Sequence, residues 1–339
     1  MLSKKLLGGK SGAAPYSGDI AVAHSGSPYL SVYPWSSGFG TKYADPATPP
    51  NGVGYAVAFS PDGADIALGH NNSRISAYQW STGSGFGTRY TSPSLTANAD
   101  AVAFSPSGAD IAVGYATSPY LNVYPWSSSG FGTKYASASP SPTVCNGVTF
   151  SPDGAYIAAV TNLSSRVYVY PWTTGSGFGT KYADPATLPA AQSNGVAFSP
   201  DGAYIAVAHN NSPYITVYPW SASGFGTKYA NPSTLPTGNG LSVAFSPDGA
   251  DIAVAHVTSP YISVYPWSSS GFGTKYTDPS TLPTGTGNGV AFSPDGADIA
   301  VVHDNSPYIS AYPWSSGFGT KYADPSIPND ANSVAFLPA

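Results

Sequence analysis

Residues 243–289 read VAFSPDGADIAVAHVTSPYISVYPWSSSGFGTKYTDPSTLPTGTGNG, and the same wording starts again at Val290. Four strands fit this unit. Strand a is Val243 to Phe245. The Ser-Pro-Asp-Gly after it predicts a tight turn, because Pro presets φ and Asp-Gly accepts a positive φ. Strand b, Asp251 to His256, alternates with the period of two that gives a strand two different faces. Strand c runs from Tyr261 to Trp267. Its Ile262 and Val264 point one way, and Tyr261, Ser263, Tyr265 and Trp267 point the other. Strand d is the run from Phe272 to Tyr276, and a Pro-rich loop leads to the next strand a.

Each unit holds one tryptophan: Trp35, Trp80, Trp126, Trp172, Trp220, Trp267 and Trp314 recur every 45 to 48 residues. The interval from the phenylalanine of strand a to the end of strand b holds at 11 residues, as from Phe59 to His70 and from Phe245 to His256. The tryptophan-to-GFGT interval and the d–a connection vary in length. Ladders fix the length of strands, whereas loops tolerate insertion, so the variable places are loops. The first unit begins at strand b, with Asp19 to His24, and the chain ends on a lone strand a, Ser333 to Leu337. That terminal strand is predicted to complete the first blade, which removes the edges an open array would expose. The fold class expected is therefore all-β, a seven-bladed β-propeller of four-stranded blades spanning residues 16–339, preceded by an arm of residues 1–15.

Composition agrees. Hydrophobic residues make up 42% of the 339 and supply a large core, while only 9% are charged. Glycine (38), proline (33) and tyrosine (25) are abundant, a mixture that suits short strands and many turns. The net charge of −5 argues against nucleic acid as a partner, since phosphate binding needs a basic face. A single cysteine, Cys145, excludes an internal disulfide framework. No apolar run reaches the roughly 18–20 residues of a membrane span, so no membrane insertion is expected. The opening MLSKKLLGGKSGAAP lacks the apolar stretch of a secretory signal, which predicts synthesis in the cytoplasm.

The Phe-Ser-Pro-Asp-Gly element at Phe59–Gly63, Phe198–Gly202, Phe245–Gly249 and Phe292–Gly296, followed by a small-residue strand and a strand ending in an aromatic, resembles the WD-repeat propellers. The likeness covers residues 17 to 338 and implies their ring. Tyr-Pro-Trp stands where that family has Trp-Asp, and its Gly-His dipeptide is missing, so its side-chain hydrogen-bond tetrad does not carry over. A weaker likeness is to phage-encoded propeller repeat proteins of the virion.

All five histidines occupy one repeat position: His24, His70, His209, His256 and His303, with Tyr115 and Thr161 in the remaining units. Equivalent positions on radiating blades lie too far apart for one metal ion, so the expectation is a strand-end side chain bonding the b–c loop, with no metal and no cofactor. Asp pairs such as Asp62 with Asp65 and Asp295 with Asp298 flank the a–b turn but lack the ligand set of a calcium loop, which points to turn capping. The basic residues of strand d, Lys42, Arg89, Lys134, Lys181, Lys228, Lys275 and Lys321, suit an outer edge that must not pair with another edge. No nucleophile elbow occurs and no blade diverges into an acid–base cluster, so no enzyme is expected.

The b–c loop carries the most suggestive residues. Tyr29, Tyr120, Tyr214, Tyr261 and Tyr308 follow Ser-Pro at the start of strand c, and Arg74 and Arg166 fill that slot in two units. Tyrosine and arginine are enriched at binding surfaces, against packing between blades as the alternative. With His209, Asn210 and Asn211 they form the candidate contact rim for a host-surface glycan or protein. The functional expectation is a non-enzymatic, displayed bacteriophage virion component, made in the host cytoplasm and held on virion proteins by its arm through Lys4, Lys5, Leu6 and Leu7. The alternative is a soluble multivalent lectin or adhesin of the cytoplasm.

Overall fold

The computed structural model describes residues 16–72, 74–95, 97–161 and 167–339. The arm with Lys4, Lys5, Leu6 and Leu7 lies outside them, as do Arg166 and the side chain of Arg74. Every described element is a strand, and the strands form seven antiparallel sheets. In blade 5, Ser193–Phe198, Tyr204–His209, Ile215–Ser221 and Gly224–Phe225 follow one another as a, b, c and d. The Ser-Pro-Asp-Gly turn closes as its residues predict. In blade 6, Gly249 sits at φ 69° and the Asp248 carboxylate accepts from Ser246 Oγ at 2.6 Å and Ala250 N at 3.1 Å. Each strand a touches the strands a of the two neighbouring blades, and these contacts run once round the ring.

Blade 1 is closed as expected. Strand Ala331–Phe336 pairs antiparallel with Gly18–His24, with Ile20 opposite Phe336 and Val22 opposite Val334. Tyr16 clasps the seam. Its hydroxyl donates to Leu337 O at 2.6 Å, its backbone N–H donates to Asp295 Oδ2 at 2.8 Å, and its ring packs edge-on against Phe336.

Strand b is buried on both faces along its length, as in Asp251–His256. Its alternation separates small from large residues rather than inside from outside. In blade 5, Ile205 and Val207 pack toward blade 4 with Tyr218 and Trp220, while Ala206 and Ala208 pack toward blade 6 against Ile252 and Val254. The core is thus seven seams, each joining an alanine-rich face to a face of aromatic and branched residues. Small against large fills the gap at interior density.

Strand d is shorter than the five residues its sequence suggests. Blades 3 to 6 keep a two-residue ladder such as Gly224–Phe225, and blades 1 and 7 keep single bridges, Trp35–Phe39 and Trp314–Phe318. Blade 2 alone carries the full run, Gly85–Arg89. The cause lies in strand c. Its Tyr-Pro-Trp proline has a carbonyl that faces strand d, as where Gly226 N donates to Pro219 O at 2.9 Å, but no N–H to give in return. Blade 2 has Gln79 at that position, and there the ladder continues.

A repeated carboxylate stands where the WD-repeat tetrad is absent. The first residue of strand b, Asp251 in blade 6, accepts from Tyr276 Oη of its own strand d segment at 2.8 Å and from Trp314 Nε1 of the next blade at 2.9 Å. Asp19, Asp65, Asp110 and Asp298 repeat this, and Trp35 donating to Asp298 carries it across the chain termini. The paired aspartates therefore divide their work: Asp62 and Asp295 cap turns, while Asp65 and Asp298 bolt blades together. In blades 4 and 5 Tyr156 and Tyr204 replace the carboxylate and pack edge-on against Trp220 and Trp267, whose indole N–H groups are left without a partner.

Candidate active site at the mouth of the central channel

The histidines end strand b inside the protein. His24, His70, His209, His256 and His303 are fully buried, and each Nε2 lies 2.9 to 3.1 Å from a strand c hydroxyl, Thr216 Oγ1 in the case of His209. His209 Nδ1 sits 2.9 Å from Asn210 O, so the ring braces the b–c loop. Burial pushes His24 and His256 down to about 4 and lowers His209 and His303. Tyr29, Tyr120, Tyr214, Tyr261 and Tyr308 adopt left-handed φ of 62° to 72° and are half-buried. Tyr29, Tyr120 and Tyr308 pack against the blade seams. Their backbone closes the loop: His209 N donates to Tyr214 O, and Tyr214 N to Asn211 O at 2.8 Å. The b–c and d–a loops share a rim, since Asn210 N donates to Gln192 O and Asn71 N to Val53 O. The Asn210 side chain faces inward and accepts from Asn194 Nδ2 at 2.9 Å.

Asn194 leads to the channel. Strand a of every blade carries a β-bulge at its second residue, where two residues oppose one on strand b. Bulges re-aim a side chain and recur beside active sites. Here they set a ring of bulged residues at the channel mouth, on the rim shared with the b–c loops. In blade order from blade 1 the ring reads Asn332, Tyr55, Asp100, Asn146, Asn194, Leu241 and Asn288. With the two residues after each, they line a cavity of about 210 Å³.

The amides first bind the ring together. Asn194 Nδ2 donates to Gly240 O at 2.8 Å, Asn288 Nδ2 to Ala331 O at 3.0 Å and Asn332 Nδ2 to Gly54 O at 2.8 Å, each reaching the bulge of the next blade. Asn288 and Asn332 each spend one amide hydrogen in this way and keep a second. Asp100 occupies the same position in blade 3 without an amide to donate. Among the described residues it is the one carboxylate lining the cavity. Burial raises it to about 6, far above an ordinary aspartate and close to the value a general base needs at neutral pH. Tyr55 and Asn146 flank it, and Leu241 and Asn288 stand across the ring. Cys145, on the neighbouring strand, is fully buried, and burial reinforced by the charge of Asp100 raises its thiol to about 12, so it is no nucleophile.

Sequence reasoning missed Asp100. The available signal was a column: Asp100-Ala101 stands where four units read Asn-Gly or Asn-Ser and two read Tyr55-Ala56 and Leu241-Ser242, so it supplies the column's one charge. A search for clusters of acid and base overlooks one carboxylate among amides.

No family model matches the chain, and no curated protein does. Solved structures do. A protein from Bacteroides uniformis named provisionally as a 6-phosphogluconolactonase aligns over 95% of this chain and 99% of its own, at TM-score 0.75 and 16% identity. The periplasmic gluconolactonase PpgL of Pseudomonas aeruginosa covers 95% and 99%, at 0.72 and 15%. The β-propeller domain of Cps50 (Swd1) from Myceliophteria thermophila covers 80% and 87%, at 0.58 and 11%. These superpositions show the shared propeller fold and, at such low identity, nothing beyond it; the last supports the resemblance to WD-repeat propellers.

The neighbours also correct two expectations. Proteins bearing lactonase names occupy this fold from end to end, so a regular ring is no argument against catalysis, and the expectation of a non-enzyme falls. With it falls the displayed bacteriophage virion component, together with its lectin or adhesin alternative. The physical reason is local. Those readings rested on the arm, the composition and the repetitive outer rim, whereas the carboxylate that departs from the repeat lies in the channel, where the ring concentrates seven side chains on one small volume.

Proposed function

We propose that this chain is a hydrolase of small cyclic esters, lactones, working at the mouth of its central channel with Asp100 as general base. The observation that carries the reading is a lone, half-buried carboxylate on a bulge, facing a cavity whose other side chains are uncharged: amides, small residues, valines, Tyr55 and Leu241. The names of the Bacteroides and Pseudomonas neighbours support the same class. Asp100 accepts a proton from a water as that water's oxygen attacks the acyl carbon. The negative charge that develops on the carbonyl oxygen needs donors, and the uncommitted amide hydrogens on the ring supply them. Collapse of the adduct breaks the acyl–oxygen bond, the proton on Asp100 passes to the leaving ring oxygen, and the product is a hydroxy acid. Its new carboxylate shares the cavity with Asp100 and is repelled, which favours release.

The test is hydrolysis of glucono-1,5-lactone followed by proton release. The wild-type rate is expected to rise with pH through about 6 as Asp100 ionises. Asp100→Asn should lose roughly 100-fold or more, the usual worth of a general base. A folded Asp100→Asn protein with undiminished turnover overturns the assignment.

A further inference from the structure

The charge distribution around the channel selects among substrates. This step rests on the hydrolase reading and asks which lactones the site takes. All seven described basic side chains, from Lys42 to Lys321, sit on the outermost segment of their blades. That segment is three strands out from the channel wall, roughly 14 Å at the spacing of neighbouring strands. Several are also engaged there: Lys181 Nζ pairs with Asp184 at 2.6 Å, and Arg89 donates to Ser76 Oγ at 2.9 Å and lies over the Tyr78 ring. The backbone of Arg74 runs on strand c, two strands out. The histidines, one strand out, are buried and bonded to strand c hydroxyls, and burial keeps His24, His209, His256 and His303 uncharged near neutrality.

A phosphate placed in the cavity would therefore lose its water, meet no cation among the described side chains, and share about 210 Å³ with the Asp100 carboxylate. A neutral polyol meets the reverse situation. Amide groups of Asn146, Asn288 and Asn332 and the hydroxyls of Ser242 and Ser333 offer donors and acceptors around it, and Leu241 gives the ring an apolar face to lie against. The cavity, about 210 Å³, is small, which suits one monocyclic lactone rather than a disaccharide.

We infer that the channel is specific for uncharged, unphosphorylated monocyclic sugar lactones and rejects their phosphorylated counterparts. The experiment compares kcat/KM of the full chain for glucono-1,5-lactone and 6-phosphoglucono-1,5-lactone at pH 7.5, each corrected for spontaneous hydrolysis. A preference of at least ~100-fold for the neutral lactone is expected, because an unpaired dianion must be desolvated beside a carboxylate. Raising the salt concentration should narrow the gap through the phosphorylated substrate's KM, since screening acts on the charged ligand alone. Equal or better turnover of the phosphorylated lactone overturns this specificity and leaves the hydrolase reading standing. Turnover of neither by a protein shown to be folded removes the hydrolase reading, and the specificity with it.

Discussion

Asp100 has two effects at the scale of one residue, and they oppose each other. The burial that suits it to the proposed proton transfer also makes its charged form costly. Its value is near 6 in the folded chain against an ordinary 3.8 in the unfolded one, so between about pH 4 and 6 the folded state binds more protons. Its contribution to stability therefore falls as pH rises through that window and stays low above it. The undiscounted shift corresponds to about 3 kcal/mol, and contact with channel water reduces it to roughly 1–2 kcal/mol. Asp100→Asn should be more stable than wild type by about that amount at pH 8 and equal to it near pH 4. The variant's amide can also donate to the next blade, as Asn194, Asn288 and Asn332 do. Denaturant midpoints of both proteins across pH check this. The difference between them is what must be read, because the buried histidines tilt both curves the other way: their lowered values withdraw stability as pH falls below about 6.5. A variant less stable at pH 8 contradicts the account.

At the scale of the element, blades are joined by one buried carboxylate as well as by apolar packing. Removing Asp251 leaves the half-buried Tyr276 hydroxyl and the buried Trp314 indole N–H without the acceptor they share. Asp251→Ala is expected to cost roughly 2–4 kcal/mol, the range for orphaning buried partners of a charge. Asp251→Tyr should cost less. Blade 5 already carries Tyr204 at this position, where its ring meets Trp267 edge-on at 5.3 Å and replaces a polar bond by aromatic contact. Thermal melts of the two variants decide the point: equal losses would mean that the tyrosine blades are tolerated by some other adjustment. The short strand d follows the same local logic, since one proline N–H missing from strand c stops the ladder, and Gln79 restores it.

Over the whole molecule, closure is a single event made by the last strand. Ala331–Phe336 supplies strand a of blade 1, the Asn332 amide of the channel ring and the seam held by Tyr16. Deleting residues 332–339 exposes the edge of Gly18–His24 and opens the channel on one side. The truncated chain should lose its cooperative melt and aggregate. If it melts like the full chain by calorimetry, closure by this strand is not what holds the ring.

What the sequence determined by itself is the ring. Tryptophans at even spacing, a tight turn written by Ser-Pro-Asp-Gly or, in blade 3, Ser-Pro-Ser-Gly, and a strand a displaced to the far end leave one closed arrangement of seven blades, because each repeat carries its own short-range instructions. The partners across seams were not legible. Asp251 reads as a turn residue until Trp314 of the next blade is seen to bond it, and strand b reads as two-sided until both sides prove buried. The channel was least legible of all. A bulge is a register shift between two strands and leaves no period of its own, so the residues at 55, 100, 146, 194, 241, 288 and 332 look like ordinary loop-to-strand positions. Only closure brings them onto one axis. Crowding within that circle withdraws Asp100 from water, and it is this loss of solvent, set by tertiary structure alone, that raises one aspartate among amides above the ordinary carboxylate range.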